Sequence, residues 1–251
     1  MVDPEGGALS PDRTTELAAN LAAVRTRIRA AAVASGRDPT GVTLIAVTKA
    51  WPAADVARLA ELGVTDFAEN RDAEAAGKAA ACAALGVGGL RWHFVGQLQT
   101  NKARSVAEYA DVVHSLDRDR LVDTLAAACG RSGRCLDVLV QVNLDASAGP
   151  GRSGPAARGG AAPGDVAGLC TRVERADRLR LRGLMGVAPP GLPPDGAFAA
   201  LAACAAAVRA VHPDANWISA GMSTDLEAAI AHGATHVRVG SGLLGKRPLT
   251  R

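Results

Sequence analysis

Apolar and polar positions along the chain alternate between two rhythms. Aliphatic residues first recur at spacings of three and four (Leu17, Leu21, Val24, Ile28), the period of an amphipathic helix. Ser10 or Asp12 can cap that helix, which is expected to run to about Ala34 before Gly36 and Pro39 end it. The second rhythm is a continuous run, Val42-Thr43-Leu44-Ile45-Ala46-Val47-Thr48, bounded by Gly41 and by Trp51-Pro52 and ending on Lys49. An uncharged, aliphatic run of this length predicts a strand buried on both faces, as in parallel sheets covered by helices. Pro52 then opens a helix (Ala53 to Leu62) that Gly63 stops, following the usual proline-start, glycine-end asymmetry.

The alternation repeats along the chain. Short apolar runs follow at Asp66 to Glu69, Arg91 to Val95, Asp111 to Leu116, Cys135 to Asn143, Leu179 to Val187, Asn216 to Ala220 and His236 to Gly240. Alanine-rich stretches of helical length separate them. With the first run this makes eight strands, and 251 residues match a single (β/α)8 TIM barrel with an extra N-terminal helix. A doubly wound open sheet is the runner-up, because alternation alone does not show closure. Residues 1–11 read as a disordered start and 12–251 as the domain. Ala146 to Gly164, rich in Gly, Pro, Ala and Arg and without periodicity, reads as a mobile loop after the fifth strand.

Composition narrows the classes. Aromatics are only 3% of residues, so the core must be built from Ala, Val, Leu and Ile. The net charge of +3 is spread along the chain with no basic block, which argues against nucleic acid. Five widely spaced cysteines without a CxxC predict reduced thiols in a cytoplasmic protein rather than a disulfide framework or a metal site. The start of the chain carries acids and no apolar core of a signal peptide. The most apolar stretch, Ala199 to Val208, is too short to span a bilayer, so no membrane partner is expected.

In a barrel, polar residues at the carboxyl ends of strands carry the chemistry. Here these are Lys49, Glu69, Asn70, His93, His114, Ser115, Asn143, Met185, Ser219, Arg238, Gly240 and Ser241. Lys49 either snorkels into water or works at the barrel mouth. His93, His114 and Asn143 either serve the site or satisfy buried backbone groups. Two motifs are more specific. Ser219-Ala220-Gly221-Met222-Ser223 leads into a helix after the seventh strand, and Arg238-Val239-Gly240-Ser241-Gly242 ends the eighth. Barrel phosphate sites recur after strands seven and eight, so the pair reads as a phosphate cradle. Ordinary capping by Ser223 or Thr224 and an ordinary turn at Gly240 is the structural alternative. A strand-end lysine facing such a cradle suits a phosphorylated aldehyde held as a Schiff base, and pyridoxal 5′-phosphate (PLP) fits that description.

The motifs Leu44-Ile45-Ala46-Val47-Thr48-Lys49, Phe67-Ala68-Glu69-Asn70 and Trp92-His93-Phe94-Val95-Gly96-Gln97-Leu98-Gln99-Thr100-Asn101-Lys102 carry a resemblance. So do Val113-His114-Ser115-Leu116-Asp117, Val140-Gln141-Val142-Asn143, Leu181-Arg182-Gly183-Leu184-Met185, Ser219-Ala220-Gly221-Met222-Ser223 and Val237-Arg238-Val239-Gly240. From about residue 12 to 247 the chain resembles the PLP homeostasis proteins, which look like the barrel domain of alanine racemase standing alone. The resemblance implies that Lys49 forms the internal aldimine and that Ser223, Gly240 and Ser241 hold the phosphate. It also implies that Arg238 faces the pyridine nitrogen and that Asn70 lies beside the ring. The chain departs from the family pattern at Arg71-Asp72-Ala73-Glu74, at Arg152-Ser153-Gly154 and in the insert from Ala156 to Gly164.

The resemblance leaves three functions to weigh. The first is a PLP-binding protein that buffers or delivers the cofactor without robust catalysis, so that no catalytic residue is assigned. The second is a PLP-dependent amino-acid racemase, and the third a Schiff-base aldolase using Lys49. Racemisation needs a second base, which in alanine racemase is a tyrosine from a second domain. The single tyrosine here, Tyr109, is expected at the end of the helix before strand four. The binding protein is the favoured reading. Its expected partners are PLP and PLP-dependent apo-enzymes, and the family resemblance implies a monomer.

Overall fold

A computed structural model describes residues 11–145 and 159–245 of the chain. Of the expected disordered start (1–11), residues 1–10 lie outside the described residues, whereas Pro11 already opens a helix. Of the expected loop from Ala146 to Gly164, residues 146–158 with Arg152-Ser153-Gly154 lie outside them, and its end is described, with Ala161 bridging Val142. The strands are β1 (Thr43–Val47), β2 (Asp66–Glu69), β3 (Arg91–Phe94), β4 (Val112–Leu116), β5 (Leu136–Gln141), β6 (Leu179–Met185), β7 (Trp217–Ser219) and β8 (His236–Val239). Each pairs in parallel with the next, and β8 returns to β1 with Thr43 opposite His236 and Ala46 opposite Val239. The barrel is therefore closed, and the open-sheet alternative falls.

Helices follow the strands in turn: α2 (Ala53–Glu61), α3 (Asp72–Ala84), α4 (Ala103–Tyr109), α5 (Asp119–Ser132), α6 (Val166–Glu174), α7 (Asp195–Val211), α8 (Leu226–Ala231) and α9 (Ser241–Leu244). The extra helix α1 (Pro11–Ala34) opens at Pro11, a favoured first-turn position for proline, and packs against α2, α8 and α9. The Leu17, Leu21, Val24 and Ile28 stripe is its buried face, joined to Leu226, Ile230, Leu243 and Leu244. Gly63 lies at φ 80°, a left-handed geometry that explains why α2 stops there.

The two faces of the strands differ. Outward residues such as Phe67, Trp92, Val237 and Val239 pack under α1 and α2, while Val113, Leu116 and Val138 pack under the helices on the other side. Inward, Ile45, Val47 and Ala68 form one small apolar cluster, and Val112, Leu139 and Met185 form another. Between them the interior is polar. His93, His114, Ser219, His236 and Arg238 are all buried there. The two central histidines lie within β3 and β4 rather than at their carboxyl ends, so they sit below the mouth of the barrel.

The five cysteines are free thiols. No helix among the described residues is long and apolar enough to cross a membrane, and no group of three His, Cys, Asp or Glu among them could hold a metal ion.

Candidate functional site

A cavity of about 420 Å³ opens at the carboxyl ends of the strands. Its wall brings together Lys49, Asn70, Ser223, Arg238, Gly240 and Ser241, which sit as far apart in sequence as β1 and α9. Met185 of the strand-end residues lines it too. Glu69, His93, His114, Ser115, Asn143 and Ser219 do not. Asn143 instead accepts a hydrogen bond from Asp145 N–H at 2.9 Å, a local turn role.

Lys49 sits on a tight turn directly after β1. The Thr48 hydroxyl, fully buried, donates to Glu69 Oε1 at 2.6 Å. From α3, Lys78 Nζ donates to Thr48 O at 2.8 Å, to Glu69 Oε1 at 2.5 Å and to Glu74 Oε1 at 3.1 Å. Burial pushes the Glu69 carboxyl up from its ordinary range, against the pull of Lys78 and Thr48. Ala50 adopts a left-handed φ of 65°, unfavourable for a residue with a Cβ, and its N–H is bound by the Glu74 carboxylate. Trp51 closes the turn through its N–H to Thr48 O at 3.0 Å, and the Arg13 guanidinium lies 4.5 Å over its ring. This lattice fixes the backbone on both sides of Lys49. The Arg71-Asp72-Ala73-Glu74 departure thus supplies a support of the turn, Glu74.

Asn70 follows β2, where its backbone touches Gly96 after β3. A Cβ on Gly96 would stand 2.1 Å from Asn70 O, so only glycine permits this approach. At Gly240 a Cβ would come within 3.3 Å of Val47 O, a tight contact where β8 meets β1.

The loops after β7 and β8 are tied together. Ser223 Oγ accepts from Gly242 N–H at 3.1 Å, and Ser223 O accepts from Arg27 Nη2 of α1 at 3.0 Å. Arg27 also pairs with Glu227 at 2.6 Å, and Asn20 Nδ2 holds Leu243 O at 3.0 Å. The extra helix therefore clamps both expected phosphate loops from outside. Arg238, buried in the barrel, donates to Ser219 Oγ at 2.6 Å and to Gly186 O at 3.0 Å. Both are neutral oxygens. Burial lowers the guanidinium pKa to about 10, with Asp225 opposing, and at neutral pH it stays a cation.

Sequence reasoning did not single out Trp51, Gly96, Met222 or Thr224 as cavity residues, although all four line the wall. Trp51 and Thr224 each lie within two residues of a site residue that it did single out, and Gly96 lies within a quoted motif.

The profile of the alanine racemase N-terminal domain family matches residues 19–248. A relative from Mycobacterium tuberculosis, the pyridoxal phosphate homeostasis protein, is 45% identical over 95% of this chain and 96% of its own. The chain belongs to the pyridoxal phosphate homeostasis protein family. The Escherichia coli K12 family member is 37% identical over 94% of this chain and 99% of its own. Among solved structures, family member PipY of Synechococcus elongatus, with PLP bound, superposes with a TM-score of 0.76 at 33% identity, covering 91% of this chain and all of that one.

Proposed function

We propose that the protein binds PLP in the cavity at the carboxyl mouth of the barrel and serves intracellular PLP homeostasis by buffering or delivering the cofactor. The observation carrying this reading is the gathering of Lys49, Asn70, Ser223, Arg238, Gly240 and Ser241 on one cavity wall, in a family with a PLP-bound member.

The residues fit the cofactor. Bound PLP supplies an aldehyde that a primary amine can capture and a ring that can accept electrons. Lys49 offers that amine from a braced turn and would hold the aldehyde end of the ligand. The Ser223 and Ser241 hydroxyls donate to the phosphate at the other end. Asn70 would lie beside the ring, and Arg238 would present a hydrogen-bonding cation to its nitrogen. Because that guanidinium stays charged, it opposes protonation of the ring nitrogen and weakens the ring as an electron sink.

The wall also argues against racemisation. Among the described residues lining the cavity there is no Asp, Glu, His, Cys or Tyr, so Lys49 is the only base at hand. Tyr109 packs into the hydrophobic core at the end of α4, where burial raises its hydroxyl pKa. The same reading makes the protein a cytoplasmic monomer with PLP-dependent apo-enzymes as recipients. Its free thiols are in keeping with a reducing compartment.

Borohydride reduction of the PLP-loaded protein, followed by peptide mapping, tests the site. The label is expected on Lys49, and Lys49→Ala should abolish the visible absorption band. A label on Lys78 or Lys102 instead would move the site. Incubation with L-alanine in deuterated water tests the absence of turnover. Inversion at a catalytic rate that disappears in Lys49→Ala would restore the racemase.

A further inference from the structure

A chain of hydrogen bonds crosses the barrel interior beneath the cavity. Asp66 Oδ1, at the amino end of β2, lies 2.9 Å from His93 Nε2. His93 Nδ1 lies 2.8 Å from His114 Nε2, and His114 Nδ1 lies 3.0 Å from Ser219 Oγ. Ser219 Oγ then meets Arg238 Nη1 at 2.6 Å. The five residues come from five strands, and one end of the chain reaches the cavity wall. The other end, Asp66, lines a second cavity of about 380 Å³ with Thr43, Arg91, Trp217 and His236 at the amino mouth.

The carboxylate at one end, the guanidinium at the other and the burial of the two imidazoles between them together set the direction of every bond. Burial opposes ionisation of Asp66, but hydrogen bonds with His93 and Thr65 outweigh it and hold the carboxyl below its usual range. As a carboxylate it only accepts, so His93 Nε2 carries a proton. His93 is 1% exposed and His114 fully buried, and that burial holds both imidazoles neutral. Arg91 and Asp111 face His93, while His236 and Arg238 face His114. A neutral His93 must accept at Nδ1, so His114 donates from Nε2. His114 then accepts at Nδ1 from the Ser219 hydroxyl, whose oxygen accepts from Arg238. One arrangement of protons satisfies the whole chain, with a guanidinium at one end, a carboxylate at the other and three neutral groups between.

We propose that His93, His114 and Ser219 are positioning residues, ordered by the Asp66 carboxylate, that orient the Arg238 guanidinium in the cavity wall. The two mouths of the barrel are thereby coupled through its interior. The link to cofactor binding rests on Arg238 contacting PLP, as proposed above, whereas the order of the chain does not.

The test therefore has two arms. Imidazole ¹⁵N–¹H correlation spectra of the full-length, cofactor-free protein, assigned with His93→Gln and His114→Gln, report the tautomers. Both imidazoles are expected to be neutral and protonated at Nε2. In Asp66→Asn, which keeps a hydrogen-bond acceptor but removes the charge, the single His114 tautomer should give way to a mixture, although His114 does not touch residue 66. A His114 protonated at Nδ1 in the wild type, or His114 signals unmoved by Asp66→Asn, overturns the proposal. In the second arm, Ser219→Ala should weaken PLP binding on the order of tenfold, as expected when a charged group loses its hydrogen-bond acceptor. Ser219→Thr, which keeps the hydroxyl, should restore it. Unchanged affinity in Ser219→Ala would overturn the positioning role while leaving PLP binding intact. Failure of the wild type to bind PLP would instead sink the proposed function and leave the tautomers readable.

Discussion

The outer and inner faces of the same eight strands are built to different rules. Outside, Phe67, Trp92, Val113, Leu116 and Val237 press against helices that supply equally apolar partners. Such packing needs volume and little direction. Inside, the residues between the two small apolar clusters include His93, His114, Ser219 and Arg238, and each of these four requires a particular partner at hydrogen-bond distance. Buried polar groups cost stability unless they are satisfied, so a fully ordered interior chain signals a demand other than packing. The outer face holds the barrel together, and the inner face serves the mouth.

Truncation on the outer face should give the largest effect. Phe198 of α7 is 2% exposed within the larger apolar cluster. Phe198→Ala should cost about 3–5 kcal/mol of stability, seen as a lower denaturant midpoint with an unchanged slope. A loss below about 1 kcal/mol would mean that this face tolerates cavities and would erase the contrast.

The inner face should show itself in acid. His236 is buried beside Trp217, and burial lowers its pKa from 6.5 to about 3. The unfolded chain takes up this proton below about pH 6.5 and the folded chain does not, so stability present above that pH is lost as pH falls toward 3. His93 and His114 are shifted the same way. Each such histidine should steepen the decline by up to about 1.4 kcal/mol per pH unit, and His236→Gln should remove one share. Denaturant titrations at a series of pH values check this. An unchanged slope in the variant would show that His236 is protonated in the native barrel.

The smallest effect is expected where the outer shell reaches the site loops. Arg27 is partly exposed and joins α1 to Glu227 and Ser223 O. Arg27→Ala should change stability by less than about 1 kcal/mol, in line with surface pairs, and PLP affinity by no more than a few fold. A loss above about tenfold in PLP titrations would show that α1 shapes the loops after β7 and β8 and is more than a clamp.

Much of this molecule was legible in the chain because the signals are local. Proline and glycine positions marked helix ends, and uncharged runs marked strands. Lys49 stood out as the charge that ends one of those runs, and Ser223, Gly240 and Ser241 as small residues in turns after the last two strands. The Lys78–Glu69–Thr48 lattice was hidden, since a lysine in an alanine-rich helix reads as a solvated side chain, yet Lys78 is 7% exposed. Gly96 was equally mute. Its need for glycine comes from Asn70, whose carbonyl oxygen a Cβ would approach to 2.1 Å.

The sequence alone determined the order of strands and helices, the extra first helix and the identity of the strand-end residues, because periodicity and turn chemistry act between near neighbours. Only the tertiary structure decided that the sheet closes, since strands buried on both faces show the same apolar run in an open sheet and in a barrel. It alone set the interior partnership of Asp66, His93, His114, Ser219 and Arg238. Which inward side chains meet depends on the register of each strand pair around the closed barrel, a property of all eight strands together and of no single stretch.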